Sequence, residues 1–242
     1  MTAKTWGFAP WGWTLLGTVC FFLCVLLFWV LVLSLPPVWS SFYEKVMGEN
    51  LQAFPLAEAY HRDEAKISTA MWTREPFAQV SRRLEVVPLT GQEIKHYEDV
   101  RRLLRIALVF LIILLLAFCF MPKPFTARQL AVNTTLLFFF SIAVCGVWIW
   151  LSWRHFFHTF HNLLFTDDSW YFQGNYYILF LYPNKVWQAA GGFVAGGLLL
   201  TLVALFLYTY GKDVYSRKGW LRQEGVSTEK ISQTTSDEEE RA

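Results

Sequence analysis

Charge is what this chain has least of. Of its 242 residues 17% are charged, and the formal balance is +2. The basic residues are scattered through loops, without the patch or stripe that nucleic-acid binding requires, so no nucleic-acid partner is expected. Cysteine is scarce as well. Cys20, Cys24, Cys119 and Cys145 all lie inside apolar runs and form no Cys-x-x-Cys pair. A thiol–disulfide exchanger needs reactive thiols outside the bilayer, so these cysteines read as small apolar side chains. No Gly-x-Ser-x-Gly elbow and no phosphate loop occurs. No serine or cysteine is placed as an activated nucleophile. In an enzyme built from this chain, the attacking group would come from the substrate.

What is abundant is apolar and aromatic surface, at 55% and 18% of residues. That suits a multispan membrane protein rather than a soluble domain. Gly12 to Leu35 carries no charge and is long enough to cross about 30 Å of hydrocarbon. It exceeds the apolar core of about 7–15 residues found in signal peptides, and Pro36-Pro37 ends it. The expected architecture is an all-α integral membrane protein with four transmembrane helices, at 12–35, 103–121, 130–151 and 186–210, within a 1–210 membrane domain. Pro122 and Pro124 stop the second span. Trp148, Trp150 and Trp153 mark the exit of the third, as an aromatic belt does. In the fourth, Gly191-Gly192 and Gly196-Gly197 offer a small-residue face for close helix contact.

Residues 36–102 form the one large polar segment, expected as a small extracytoplasmic cap between the first and second spans, with 80–89 extended. Thr90-Gly91-Gln92-Glu93 reads as a capping box opening the second long helix. The tail, 211–242, is basic at Lys212, Arg217, Lys218 and Arg222 and acidic at 237–240. It is expected to be disordered and cytoplasmic. The basic 123–128 connection and the basic tail share one side of a four-span body, which puts both termini in the cytoplasm. Arg101, Arg102 and Arg105 stand on the other side, against that rule.

The richest stretch runs from Phe160 to Asn184, between the last two spans. His161 lies near the end of an apolar run, where an ionisable group is costly and usually faces a cavity or partner. His96 lies on the helix opened by Thr90, with Asp99 three residues on, the offset at which a carboxylate can orient an imidazole. Asp168 and Trp170 read first as an Asx-type turn and a belt anchor beside His161. His155, His158 and His161 form His-x-x-His-x-x-His, fanning across roughly a third of a helix circumference. Such spacing can bind a metal, but no Asp or Glu lies within the triplet and His-Glu-x-x-His is absent. No cofactor and no metal are expected. A His-ligated metal or haem protein is the weaker alternative.

Phe160, His161, Phe165, Asp168, Trp170 and Pro183, with Glu93, His96, Asp99 and Val100, resemble the two motifs of the lipoprotein intramolecular transacylase family of bacterial four-span membrane proteins. Leu164, Asp167, Tyr97, Tyr182, Asn184 and Val186 depart from the family's Phe, Asn, Met, Phe, Glu and Phe. Gln173-Gly174-Asn175 stands where the family has an Asn-Pro and acidic turn. The resemblance implies a membrane acyltransferase in the bacterial cytoplasmic membrane, active on its extracytoplasmic side. It would move one ester-linked acyl chain of a diacylglyceryl lipoprotein to the α-amine of the same N-terminal cysteine. His96 and His161 would be catalytic, Asp99, Asp168 and Trp170 supporting, and membrane lipid a second partner. The alternative from another class is a non-catalytic membrane partner or assembly protein using the aromatic cap and the tail.

Overall fold

The computed structural model describes residues 10–51, 56–123, 125–165, 167–172 and 174–239. Side chains are described for 11–48 and, within the later segments, up to residue 212 and at 215. Pro124, Gln173 and the tail charges at 217, 218, 222 and 237–240 fall outside the described side chains. Among the described residues there are helices and turns and no strand. Four helices are long and apolar enough to cross a membrane: α1 (Pro10–Ser34), α5 (Gly91–Phe120), α6 (Ala127–Leu151) and α9 (Asn184–Glu239). The cap holds α2 (Pro36–Leu51), α3 (Ala57–Trp72) and the short α4 (Phe77–Ser81). Between α6 and α9 lie α7 (Trp153–Leu164), a single 3-10 turn (Asp168–Trp170) and α8 (Tyr177–Leu181).

The chain is punctuated where its chemistry demands. Pro36 and Pro37 follow α1 and open α2, since a proline fits the first turn of a helix but not its interior. Thr90 makes the expected capping box with Glu93, and Thr126 makes a second with Gln129 at the start of α6. Ser152 breaks α6 from α7, its hydroxyl accepting from the His155 amide at 3.2 Å. Residues 80–89 are not extended: Val80 and Ser81 close α4, and the rest is irregular. Asp63, fully buried, accepts there from the amides of Glu85 and Val86. A side chain thus satisfies the backbone that a sheet partner would otherwise have to pair.

Helix α1 is the axis of the membrane body and packs on α5, α6 and α9. On one side Cys20, Cys24 and Leu31 meet Leu111 of α5; on the other Phe22 meets Phe138 of α6 and Leu198 and Leu202 of α9. Cys119 and Cys145 instead face outward. So do Val109, Ile113, Leu116, Phe139, Phe140 and Leu200, as lipid-facing side chains should. Of the expected glycine face, Gly197 alone makes a close contact. The Trp29 ring occupies the space of its missing Cβ, and the indole N–H donates to Thr201 at 3.0 Å. Among the described residues no neighbour comes within 4 Å of where a Cβ would stand at Gly191, Gly192 or Gly196. The approach there is thus one side chain onto backbone, not two backbones meeting.

The backbone of α9 continues past the apolar residues to Glu239, where disorder was expected. No proline interrupts it, and extending a helix that already exists escapes the nucleation cost that an isolated polar segment would bear.

Candidate active site

The site lies where the first turns of α5 meet the α6–α9 connection. Glu93 is the main tether. Its carboxylate is fully buried and accepts from the Thr90 amide and hydroxyl at 2.8 and 2.9 Å, and from the Ile178 amide at 2.8 Å. The same group thus caps α5 and satisfies the second residue of α8. Gln92 donates to the Tyr171 carbonyl at 2.9 Å and accepts from the Tyr176 hydroxyl at 2.8 Å. Lys95 pairs with Asp167, whose carboxyl is held down at about 2, chiefly by that bond. Gly174, at φ 88°, sits in the left-handed region that favours glycine and turns the chain between Phe172 and α8.

These ties bring the two candidate imidazoles to one place. His96 is buried, and Phe165 lies 5.1 Å from it and 5.7 Å from His161, ring centroid to centroid. The two imidazoles are therefore no farther apart than the sum of those distances. Phe172 packs edge-on to His96 at 5.3 Å, and Trp170 packs on His161 at 5.0 Å. His161 Nδ1 lies 2.8 Å from the Phe157 carbonyl, one turn back on α7. A carbonyl can only accept, so Nδ1 carries the proton and Nε2 keeps its lone pair. Burial lowers the His161 pKa, outweighing the rise caused by the Phe157 carbonyl. His96 Nδ1 is buried without a partner among the described residues.

The structure gives the supporting residues partners that the spacing did not suggest. The Asp99 carboxylate accepts from the Ser169 hydroxyl at 3.1 Å, which pins the 3-10 turn to α5. Asp168 contributes main-chain contacts. Its backbone carbonyl accepts from Gln92, at 3.4 Å, and from the Tyr171 amide. Among the described residues no carboxylate pairs with either imidazole. Trp170 lies buried between His158 and His161, its indole N–H without a partner among the described residues. The histidine triplet diverges: His155 faces Trp148, and His158 faces Trp170 and Tyr171. Among the described residues no three His, Cys, Asp or Glu side chains converge as a metal site would.

A family model described as lipoprotein intramolecular transacylase Lit matches residues 15–187. The chain belongs to the lipoprotein intramolecular transacylase family. The matched region contains both histidines and every tether between them. The solved structure of the transacylase Lit from Bacillus cereus superposes with a TM-score of 0.61 at 17% identity, covering 84% of this chain and 97% of that one. A variant of it with one histidine replaced by alanine gives 0.61 at 16% identity, over 83% and 92%. At such identities the likeness speaks to the fold, that of an integral membrane protein. An uncharacterized protein of Aquifex aeolicus is 30% identical over 138 residues, 54% of this chain and 61% of that relative.

Gln92, Lys95 and Asp167 tie together the elements that carry the two histidines, and Phe165 packs on both rings, although their spacing did not single them out. Gln92 was visible only within the capping-box stretch, Lys95 not at all, and Phe165 only as a motif match. Asp167 stood out solely as a departure from the family's asparagine.

Proposed function

We propose that this transacylase family member moves one ester-linked acyl chain of a diacylglyceryl lipoprotein to the α-amine of its N-terminal cysteine. The nitrogen attacks the ester carbonyl, a C–N bond forms, the C–O bond to glycerol breaks, and the amine proton passes to the leaving glycerol oxygen. The observation that carries this reading is the Nδ1 bond of His161 to the Phe157 carbonyl, which leaves Nε2 as a base on a ring that shares Phe165 with the buried His96. An α-amine has a pKa near 8, so a neutral imidazole has only a modest gap to bridge. We assign His161 as the base and, on the return of its proton, as the acid for the alcohol. His96 stays neutral and donates an N–H to the ester oxygen as charge develops there. Both reacting groups belong to one molecule, so holding them together in a dry pocket supplies much of the rate. The cap and both imidazoles face the outside of the cell and both termini the cytoplasm, as the basic 123–128 connection and tail favour.

The product is an isomer of the substrate, so intact mass does not change. The test expresses the chain in a host that makes diacyl lipoproteins. N-terminal lipopeptides are then fragmented to locate the acyl chain on nitrogen or oxygen. N-acylated, lyso-type peptides are expected with the wild type and not with His96→Asn or His161→Asn. O-linked diacyl peptides throughout, with folded protein in the membrane, would refute transfer and favour the partner or assembly role.

A further inference from the structure

Arginines that the acyl transfer does not use gather where the cap meets the membrane body. Helix α3 ends at Trp72, whose indole N–H donates to the Ser34 carbonyl at the end of α1, at 2.6 Å. The Trp72 ring packs with Leu31 and Leu104 of the membrane body. Thr73, Arg74 and Glu75 therefore stand at the level where α1 leaves the apolar zone. Facing them on α5 are Arg101, Arg102 and Arg105, within about 6 Å of helix rise. Arg105 lies beyond Leu103 and Leu104, inside the apolar segment, where a charge persists only by reaching the headgroup layer or a counter-charge.

The protein aims Arg101 and Arg105, leaves Arg74 and Arg102 exposed, and among the described residues neutralises none of the four. Arg105 donates to the Thr73 carbonyl at 2.9 Å. Arg101 donates to the Glu75 carbonyl at 2.6 Å, its guanidinium lying 4.8 Å from the centre of the Phe77 ring. Each bond to a carbonyl leaves further N–H donors on the same fork. The Glu75 carboxylate is taken by Arg83. Among the described residues no carboxylate pairs with Arg74, Arg101, Arg102 or Arg105. Directly below, Ile106 and Val109 are exposed on α5 and offer apolar contact to an acyl chain.

We propose that Arg74, Arg101, Arg102 and Arg105 bind the phosphodiester headgroup of an anionic phospholipid whose chains lie along α5. Guanidinium forks match phosphate oxygens, and the depth of Arg105 selects a membrane-resident phosphate over a soluble one. Such a lipid supplies the counter-charge for arginines that stand against the usual charge asymmetry of the loops. This inference is independent of the catalytic reading.

The test is lipid retention by the purified full chain in detergent, read by native mass spectrometry. Phosphatidylglycerol and phosphatidylcholine with the same acyl chains are the two probes. Preferential retention of phosphatidylglycerol is expected. Arg74→Gln and Arg102→Gln remove charges that hold no bond to the described residues, so unfolding temperature should not move. Each should weaken phosphatidylglycerol binding about fivefold while leaving phosphatidylcholine unchanged. Equal retention of the two lipids, or an unaltered preference in the double variant, overturns the site. Competition by glycerol phosphate at concentrations matching the lipid would overturn the membrane source and assign a soluble phosphate.

Discussion

The two imidazoles of the site are held by different means. His96 sits on a long continuous helix and is fixed by packing, between Tyr97, Phe165 and Phe172, with Nδ1 unpartnered among the described residues. His161 sits near the end of a twelve-residue amphipathic helix and is fixed by a hydrogen bond to its own backbone. The contrast teaches that a tautomer can be set without a carboxylate. A main-chain carbonyl one turn back does it, adding no fixed negative charge beside the base. Among apolar and aromatic neighbours the neutral imidazole is then the favoured form.

The largest test of that contrast removes each imidazole. Loss of a general acid or base typically costs about 100- to 10,000-fold in rate. His161→Asn is expected near the upper end and His96→Asn below it, measured as initial rates of N-acylation on a synthetic diacyl lipopeptide. The reverse order would exchange their roles. Next comes the tether that both share. Glu93→Ala removes the carboxylate half of the α5 capping box and orphans the buried Ile178 amide, at about 3 kcal/mol of stability. Thermal unfolding in detergent should show the loss, and activity should fall with it because the α6–α9 connection is released from α5.

The pH dependence sharpens the comparison further. Burial holds the pKa of His161 below the ordinary 6.5. Protonation of the substrate's α-amine, near 8, slopes the profile once, and His161 should add a second fall of about tenfold per pH unit only below its own lowered value. The sign for stability is the same. A histidine with a depressed folded pKa binds fewer protons folded than unfolded, so stability is lost as pH falls from 6.5 toward the folded value. A second break at 6.5 or above, beyond the one due to the amine, would show His161 to be solvated. The smallest expected effect concerns Asp99. If it serves only to pin Ser169, then Asp99→Ala and Ser169→Ala each cost about 1 kcal/mol, do not add in the double variant, and leave the acid limb in place. A shift of that limb in Asp99→Ala alone would restore Asp99 as an orienting group for an imidazole.

The spans were legible because each needs only length and the absence of charge, both local properties. The capping box at Thr90 was legible for the same reason: all of its partners lie within one turn. The partner of Asp99 was not legible, because nearness on a helix says nothing of competitors from elsewhere. Ser169, seventy residues on, takes the carboxylate. Lys95 with Asp167 and Glu93 with Ile178 were invisible for the same reason, since each pair joins segments more than seventy residues apart. Gly191 and Gly196 show the converse, a pattern suited to helix contact at positions where, among the described residues, no neighbour comes within 4 Å of where a Cβ would stand.

Alone, the order of residues determined that this chain crosses a membrane on four apolar helices and brings two histidines to the same end of the body. Hydrophobic length and helix-start chemistry are written locally and leave little else for such residues to do. Which groups surround those histidines was decided by tertiary structure. A hydrogen-bonding side chain has many acceptors within reach of its type, and only the folded arrangement of α5, α7 and the connection to α9 selects one of them.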